Sequence, residues 1–297
     1  MESIHTPPVR RLAVQPNMPA AAGASAEAAS GEPAYGPASG ATPLVVYDTV
    51  LRPEHLRALH ERRILAVVIR AFYGAEACRH LAERLRHDPR LTHYEGAPQI
   101  GAVGYSAFEA GRSVALSRKY WGQAPAGFDL NRACAAPFRC PIETLRVWAD
   151  ETWPAGASIL RLGGRACWCG LARILESSAA IPPHADRLVD DLPEAPEARL
   201  LREPVAANVH LETALNGGEL ELRDFRPTAE QVADLGNSYG LDPARLPPVA
   251  AVVRPELGDL VLHAASAVHS VRAVTGRRTT ISCFFAVDPQ GRLHFWS

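Results

Sequence analysis

The pattern of hydrophobic and polar positions separates a start rich in small residues from a domain with regular elements. Residues 18–43 are mostly Ala, Gly, Pro and Ser. Such a segment cannot bury enough apolar surface to offset the entropy that ordering removes. We therefore expect residues 1–43 to form a flexible tail and residues 44–297 to form the folded domain.

The first part of the domain carries helical and strand-like patterns in turn. Residues 52–63 contain Pro53 and Glu54 near their start, which is typical of a first helical turn. Residues 64–69, ILAVVI, predict a buried strand. Apolar or small residues at positions 75, 78, 81, 82 and 85 follow the helical period, and residues 141–153 predict another helix. Helical support is therefore expected over about residues 50–157.

Short strands separated by turns predominate from about residue 158. The predicted strands are residues 158–162, 165–176, 205–213, 218–223, 249–254, 259–263, 268–274 and 278–287. Helices followed by such strands indicate an α+β or mainly β domain, in which a sandwich or small barrel over about residues 158–297 is backed by the helices. Residues 187–203 and 224–248 predict loops, the second with a helix over residues 228–236.

Composition narrows the classes of protein that fit this pattern. Hydrophobic residues make up 47% of the chain, and no apolar run approaches the ~18 residues of a membrane span. The formal net charge of -1 gives no general attraction to nucleic acid or to anionic membranes. The first residues lack the apolar run of a secretory signal, which predicts a cytoplasmic protein. The oligomeric state stays open, with a homodimer among the alternatives.

Six cysteines are spread along the chain without a CxxC pair. Cys167 and Cys169 flank Trp168 at a spacing that suits neither a zinc knuckle nor a thioredoxin-like motif. We interpret all six as free buried thiols.

A histidine and an aspartate stand two positions apart within residues 181–191, IPPHADRLVDD. On a strand, His184 and Asp186 would project from the same face and offer two adjacent ligands to a metal. A surface turn is the favoured explanation of an HxD pair taken alone, because chance matches are common. A later histidine, His269, opens the predicted strand VHSVRAV. Two His and one carboxylate would form a facial triad that leaves three positions on Fe(II) open.

The HxD pair, the distal His and a Gly-x-Arg turn at residues 276–278 together resemble the Fe(II)- and 2-oxoglutarate-dependent oxygenase superfamily, particularly its prolyl-hydroxylase-like branch. The resemblance extends to NVHLETALNGGELEL, residues 208–222, and more weakly to residues 66–85, so that it spans about residues 60–297. It implies a double-stranded β-helix, the jelly-roll barrel that also builds cupins.

The resemblance also implies the chemistry. His184, Asp186 and His269 would bind Fe(II), with 2-oxoglutarate and O2 as cosubstrates and succinate and CO2 as products. Arg278 would form a bidentate salt bridge with the distal carboxylate of 2-oxoglutarate, since a planar guanidinium matches a carboxylate and stays charged. The carboxylate of Asp186 favours hydroxylation or another C–H oxidation, because halogenating relatives carry Gly or Ala there.

Strand parity distinguishes Arg278 from its neighbour Arg277. The two faces of the last long strand would carry Arg278, Thr280, Ser282 and Phe284 on one side, and Ile281, Cys283 and Phe285 on the other. A polar inner row and an apolar outer row suit a barrel that holds a cofactor and is backed by helices. We therefore select Arg278 and keep Arg277 as the alternative.

The same parity places Asn208 and His210 on one face of the strand at 205–213. We predict that Asn208, His210 and Thr280 contribute to cosubstrate binding, with a hydrogen-bonded core histidine as the alternative for His210. Many relatives carry a Tyr at its position. His263 is a rival metal ligand, but the superfamily usually has an aromatic residue there, so we interpret it as a packing residue.

Two arginines could anchor a substrate carboxylate or phosphate: Arg187, which follows Asp186, and Arg173 on a preceding strand. Solvated surface arginines are the alternative for both. Trp296 could cap the pocket, but packing against the last strand is favoured. Compact relatives often act on free amino acids or similar small polar metabolites, which makes such a metabolite the leading hypothesis. The alternatives are an oxygenase that acts on a protein or carrier-bound residue and a non-catalytic cupin-like binding module.

Overall fold

The structure is a computed structural model in which residues 44–94, 97–228, 231 and 240–297 are described. The predicted tail, residues 1–43, and most of the predicted helix at 228–236 lie outside the described residues. The α-helices are α1 Pro53–His60, α2 Ala75–Arg86, α3 Ala107–Ala110, α4 Val114–Gln123, α5 Gly127–Ala135, α6 Pro141–Thr152 and α7 Leu188–Asp191. Short 3-10 helices cover Ala124–Ala126, Pro196–Leu200 and Pro243–Arg245.

The strands of the first half are β1 Val45–Asp48, β2 Ala66–Ile69, β3 Thr92–Tyr94, β4 Ala97–Val103, β5 Ala157–Ile159, β6 Arg161–Leu162, β7 Arg165–Ala166, β8 Leu171–Leu175 and β9 Ile181–His184. Those of the second half are β10 Arg202–Glu212, β11 Asn216–Gly217, β12 Leu220–Leu222, β13 Ala251–Val253, β14 Leu260–Ala264, β15 His269–Val271, β16 Val274–Thr275, β17 Arg278–Val287 and β18 Leu293–Trp296. The predicted α+β class is confirmed.

Helices α1, α2 and α6 match the predicted helices to within a few residues. Proline occupies the first turn of α1 and of α6, where its missing N–H has no intrahelical partner to lose. Helices α3, α4 and α5 lie within the helical region expected at about residues 50–157, but no individual helix was predicted at their positions. Two of these helices begin with a serine, a common N-cap residue. The hydroxyls of Ser106 and Ser113 accept hydrogen bonds from the backbone N–H of Glu109 and Leu116.

Two sheets form the centre of the domain. The large sheet has the order β1-β2-β14-β10-β17-β8-β4-β3, with β18 and β5 attached beside β17, and the small sheet has the order β13-β12-β15-β9. Strands β8, β10, β14 and β17 belong to the large sheet, while β9, β12, β13 and β15 belong to the small one. The chain therefore passes repeatedly between the sheets. In the described part of the chain no strand pair joins them, so the predicted barrel takes the form of two packed sheets.

The two faces of the large sheet pack differently. Its outer face contacts helices α1, α2 and α6, and the outer row predicted from parity, Ile281, Cys283 and Phe285, is buried in that core. Its inner face packs on the small sheet through a second apolar cluster that includes Val68, Val261, Leu175, Leu220 and Val271. The polar inner row of β17 therefore lies on the side of the small sheet, as predicted.

Candidate metal centre

Two histidines face each other across neighbouring strands of the small sheet. His184 is the last residue of β9 and His269 the first of β15, and the two are register partners in an antiparallel pair. Their ring centroids lie 4.2 Å apart. Asp186 follows β9, where its backbone N–H donates to the carbonyl of Ala265 at 2.8 Å. The HxD pair and the distal His269 are thus brought together.

The distances among the three side chains fit a metal ion. Oδ2 of Asp186 lies 3.3 Å from Nε2 of His269 and 3.7 Å from Nε2 of His184. One ligand atom from each of the three residues lies within 4.8 Å of the other two. Metal–ligand bonds of about 2.1 Å place adjacent ligands of an octahedral ion about 3 Å apart. Two imidazoles and one carboxylate in this arrangement could therefore hold a divalent transition metal.

Backbone carbonyls fix the ring orientation of both histidines. The Nδ1–H of His184 donates to the carbonyl of Pro182 at 2.8 Å, and that of His269 donates to the carbonyl of Ala267 at 2.9 Å. Since a carbonyl only accepts, Nδ1 carries the proton in each ring and the lone pair of Nε2 is left for a metal.

The protonation states suit metal binding as well. Burial and the neighbouring His269 lower the pKa of His184 to about 4. Burial alone would raise the pKa of Asp186, but the adjacent His184 and His269 hold it below its ordinary value. At neutral pH His184 is therefore neutral and Asp186 ionised, which are the forms that bind metals.

A buried arginine lies on the large sheet, whose inner face packs on the small sheet that carries His184 and His269. Arg278, the first residue of β17, is 6% exposed, and its Nε has no hydrogen-bond partner among the described residues. Burial and then the charge of Arg173 lower its pKa to about 10, so the guanidinium stays charged at neutral pH. It borders a cavity of about 230 Å³ that is also lined by His210, Gly218 and Glu219. Glu219 is paired with Arg254, and no ion pair of Arg278 is found among the described residues, so this buried cation suits an anionic ligand.

Residues predicted beside Arg278 share its surroundings. His210 and Thr280 are register partners on β10 and β17, as are Asn208 and Ser282. His210 is 1% exposed, and its Nδ1 has no hydrogen-bond partner in the part of the chain that the structure describes. Burial and then Arg278 lower the pKa of His210 well below its ordinary value. The alternative of a hydrogen-bonded core histidine leaves that Nδ1 unexplained.

Arg277 lies on the outside of the domain. Its Nε donates to Oε1 of Glu176 at 2.8 Å, and its side chain is 38% exposed. Arg278 is therefore the buried arginine of the two, and its role in binding the cosubstrate stays a prediction.

His263 also faces the interior. It is 3% exposed, and its ring centroid lies 4.6 Å from that of His269 in an edge-on contact. Neither ring nitrogen has a hydrogen-bond partner among the described residues, and no nitrogen of His263 belongs to the three-ligand group. A packing role therefore does not explain why the residue has two ring nitrogens. The lack of partners for these nitrogens could not be predicted from the sequence.

The two arginines proposed as anchors differ in their surroundings. Arg187 makes a bidentate ion pair with Asp190 at 2.7 and 2.9 Å. Arg173 lies on β8 opposite Thr280, and its charge lowers the pKa of Asp186 and of Arg278. Arg173 therefore acts electrostatically on the metal centre, whereas the charge of Arg187 is balanced locally.

A second cavity has a volume of about 250 Å³, and none of the three predicted metal ligands lines it. Its lining includes Arg187, Leu188, Ser266 and Trp296. Leu188 follows the segment of Asp186, and Ser266 lies in the turn that precedes His269. Trp296 is 3% exposed and stacks on Phe284 with 5.9 Å between ring centroids, so packing is its main role.

All six cysteines are free and buried. Burial raises the pKa of Cys167 to about 12, which keeps the thiol protonated and unreactive. The interpretation of these residues as packing thiols is confirmed. Among the described residues no helix is both long enough and apolar enough to cross a membrane.

Comparison with known proteins reveals similarity at the level of structure. No protein-family model matches the chain, and no curated protein matches its sequence. An N-substituted L-amino acid dioxygenase from Burkholderia ambifaria AMMD, solved in complex with alpha-KG, matches 82% of this chain and 90% of its own, with a TM-score of 0.58 and 16% identity. The same dioxygenase in a second crystal structure gives a TM-score of 0.56 at 17% identity over the same coverage. The two proteins share a fold.

Features outside the sequence motifs complete the centre. Two carbonyls of the turn before His269 accept hydrogen bonds from the triad residues. The carbonyl of Ala265 accepts from the backbone N–H of Asp186, and that of Ala267 accepts from Nδ1 of His269. Gly218 lies so close to Arg278 that an added Cβ would be 3.3 Å from its Cδ. The glycine pair at 217–218 signals a turn in the sequence, whereas its proximity to Arg278 depends on the folded sheet.

Proposed function

We propose that this protein is an Fe(II)- and 2-oxoglutarate-dependent dioxygenase that hydroxylates an unactivated C–H bond of a small polar metabolite. One observation carries the proposal: two histidines and a carboxylate at metal-binding distance share an interior with the buried, charged Arg278. A metal site and a cation for a distal carboxylate are the two requirements for holding 2-oxoglutarate.

The residues present fit both groups. His184, Asp186 and His269 would hold Fe(II). Nε of Arg278 and Nδ1 of His210 have no hydrogen-bond partner among the described residues, and both residues line the cavity of about 230 Å³, which an anionic ligand would occupy. When bound, Fe(II) with 2-oxoglutarate and O2 supplies the oxidising power for C–H hydroxylation, with release of succinate and CO2.

The residues of the chain would bind and orient. Arg278 would donate two hydrogen bonds to the distal carboxylate of 2-oxoglutarate in a bidentate salt bridge, with Thr280, Asn208 and His210 beside it. Burial of this interior excludes water from the charge pair, which strengthens the pairing. The backbone-fixed rings of His184 and His269 would keep Nε2 aimed at one point.

The strand order supports the double-stranded β-helix that we propose for this core. Strands β8, β10, β14 and β17 lie in the large sheet, and β9, β12, β13 and β15, which follow or separate them in sequence, lie in the small one. Such an alternation winds the chain as a jelly roll. The similarity to the dioxygenase from Burkholderia ambifaria AMMD covers 82% of this chain.

A small polar metabolite, such as a free or modified amino acid, is the substrate class that we favour. The second cavity, about 250 Å³ and lined by Arg187, the residue after Asp186, has room for a small molecule. Arg173 supplies positive charge to this interior and is the preferred anchor for a substrate carboxylate. Arg187, whose guanidinium forms a bidentate ion pair with Asp190, is the alternative anchor.

Hydroxylation is favoured over halogenation. The carboxylate of Asp186 lies 3.3 Å from Nε2 of His269 and fills the third ligand position. A halide would need that position free.

Succinate release tests the proposed function. The Fe(II)-loaded protein is given 2-oxoglutarate, O2 and panels of amino acids, N-substituted amino acids, nucleotides and peptides, and succinate is quantified with mass spectrometry of the candidate product. We expect coupled release with an amino acid or related metabolite and a product heavier by one oxygen. Turnover with peptides alone would favour a protein or carrier-bound substrate. No succinate with any panel, despite bound metal, would favour a binding module.

A further inference from the structure

His263, on the inner face of β14, has two ring nitrogens without a hydrogen-bond partner among the described residues. His263 pairs in register with Ala206 on β10 and with Ala66 on β2, so small residues flank its imidazole. The side chain is almost completely buried, and neither Nδ1 nor Nε2 has a hydrogen-bond partner among the described residues.

Such a residue requires a partner. Every imidazole carries at least one N–H, whatever its tautomer, and a buried donor without an acceptor is destabilising. Apolar packing against His269 would be served equally well by an aromatic hydrocarbon ring. The imidazole at this position therefore indicates an acceptor that occupies the interior when the site is loaded.

The position of His263 indicates which acceptor this is. Its ring contacts that of His269, at the level of the metal ligands. Its register partner Ala206 lies four residues from His210 along β10, a separation of about 13 Å. His210, in turn, lines the cavity of Arg278. His263 is therefore at the metal end of the interior, whereas Arg278 and His210 are at the other end.

We propose that His263 donates a hydrogen bond to the carboxylate of 2-oxoglutarate that chelates the metal, an inference that rests on the proposed function. The cosubstrate is then held at both ends, by Arg278 at the distal carboxylate and by His263 at the proximal one. His263 is a positioning residue, since no bond is made or broken at its ring. The second ring nitrogen accepts from water or from the substrate.

Binding measurements without turnover test this role. The protein is loaded with Ni²⁺, and calorimetry gives the affinity for 2-oxoglutarate and for oxalate, which chelates a metal but has no distal carboxylate. Two matched pairs of variants, His263→Gln with His263→Met and His263→Asn with His263→Leu, differ mainly in whether an amide N–H is present. Arg278→Met serves as the comparison for the distal end.

We expect all four His263 variants to bind Ni²⁺ with the stoichiometry of the wild type. The Met and Leu variants should bind both 2-oxoglutarate and oxalate about ten-fold more weakly, the effect of one lost hydrogen bond. At least one amide variant should retain affinity within about three-fold of the wild type. Arg278→Met should weaken 2-oxoglutarate binding and leave oxalate binding unchanged.

Other outcomes overturn the inference in distinguishable ways. Unchanged affinities in the Met and Leu variants would make His263 a packing residue, and loss of Ni²⁺ would make it a metal ligand. Weakened binding of 2-oxoglutarate with unchanged oxalate binding would move its contact to the distal carboxylate. If only the amide variants fold, the N–H serves folding and the proposal is rejected. A wild-type protein that binds Ni²⁺ but neither ligand would instead refute the proposed function itself.

Discussion

His184 and His269 are register partners across β9 and β15, with 4.2 Å between their ring centroids. Each Nδ1–H is hydrogen bonded to the carbonyl two residues earlier, that of Pro182 or of Ala267. The two imidazoles therefore lie side by side, each oriented by a carbonyl of its own chain segment, and Asp186 adds the third ligand.

Loss of one member of this pair should abolish metal binding. His269→Ala removes a ligand and leaves two, so we expect the metal content to fall below one tenth of the wild type at equal metal concentration. Anaerobic Fe(II) with 2-oxoglutarate should give the weak visible band of the chelate in the wild type only. His294→Gln is the control, because His294 pairs with Asp288 at 2.8 Å, outside the centre. An unchanged band in His269→Ala would refute the metal site.

Arg278 should determine the affinity for 2-oxoglutarate. Arg278→Met preserves much of the side-chain length but removes a buried charge pair, and we expect the 2-oxoglutarate requirement to rise about 100-fold, in line with 2–5 kcal/mol for such pairs. Arg277→Met is the matched control, since it removes an arginine that pairs with Glu176 on the surface. Titration of succinate release against 2-oxoglutarate measures both. A larger effect at Arg277 would reverse the assignment.

Gly218 should act through Arg278. It has a φ of +74°, and a Cβ there would lie 3.3 Å from Cδ of Arg278 and 3.2 Å from Cβ of Ala214. Gly218→Ala is expected to reduce stability by about 1–2 kcal/mol through backbone strain and to weaken 2-oxoglutarate binding several-fold. Gly164→Ala isolates the strain, because Gly164 has a φ of +76° and open space around it. Equal 2-oxoglutarate affinity in the two variants would show that the approach to Arg278 has no consequence.

His60 should make the stability of the protein depend on pH. Burial lowers its pKa to about 4 in the folded state, against about 6.5 in an unfolded chain. Between these values the unfolded state binds the proton and the folded state does not, so stability falls as the pH is lowered from 6.5 towards 4. The contribution of His60 is about 3 kcal/mol at most. His60→Gln should lessen this decline in urea denaturation at pH 7, 6, 5 and 4.5, and a decline identical to the wild type would contradict the assignment.

Sequence patterns anticipated the residues of the centre better than their surroundings. A period of two along β17 and β10 was sufficient to place Arg278, Thr280, His210 and Asn208 on one face. The predicted strand at 165–176 is divided in the structure, because Gly170 adopts a φ of +97° where the amide of Asn131 donates to its carbonyl. That contact joins residues distant in sequence, which local periodicity does not register.

The interior contacts could not be predicted from the sequence either, because they also join residues that are distant in sequence. Whether a ring nitrogen of His263 has a partner depends on strands β2, β10 and β14 meeting in one register. The strand order of the two sheets entered the sequence analysis only through the resemblance to a known superfamily. Periodicity in a single sequence predicts which residues share one face of a strand. It does not predict which residues of other strands that face contacts.

The turn at residues 265–267 ties both halves of the triad together, since Ala265 accepts from the backbone of Asp186 and Ala267 accepts from the ring of His269. Two carbonyls of one short turn therefore fix the backbone at Asp186 and the ring of His269 together. A substitution that changes the path of this turn should disturb two ligands at once, although the turn itself contributes none.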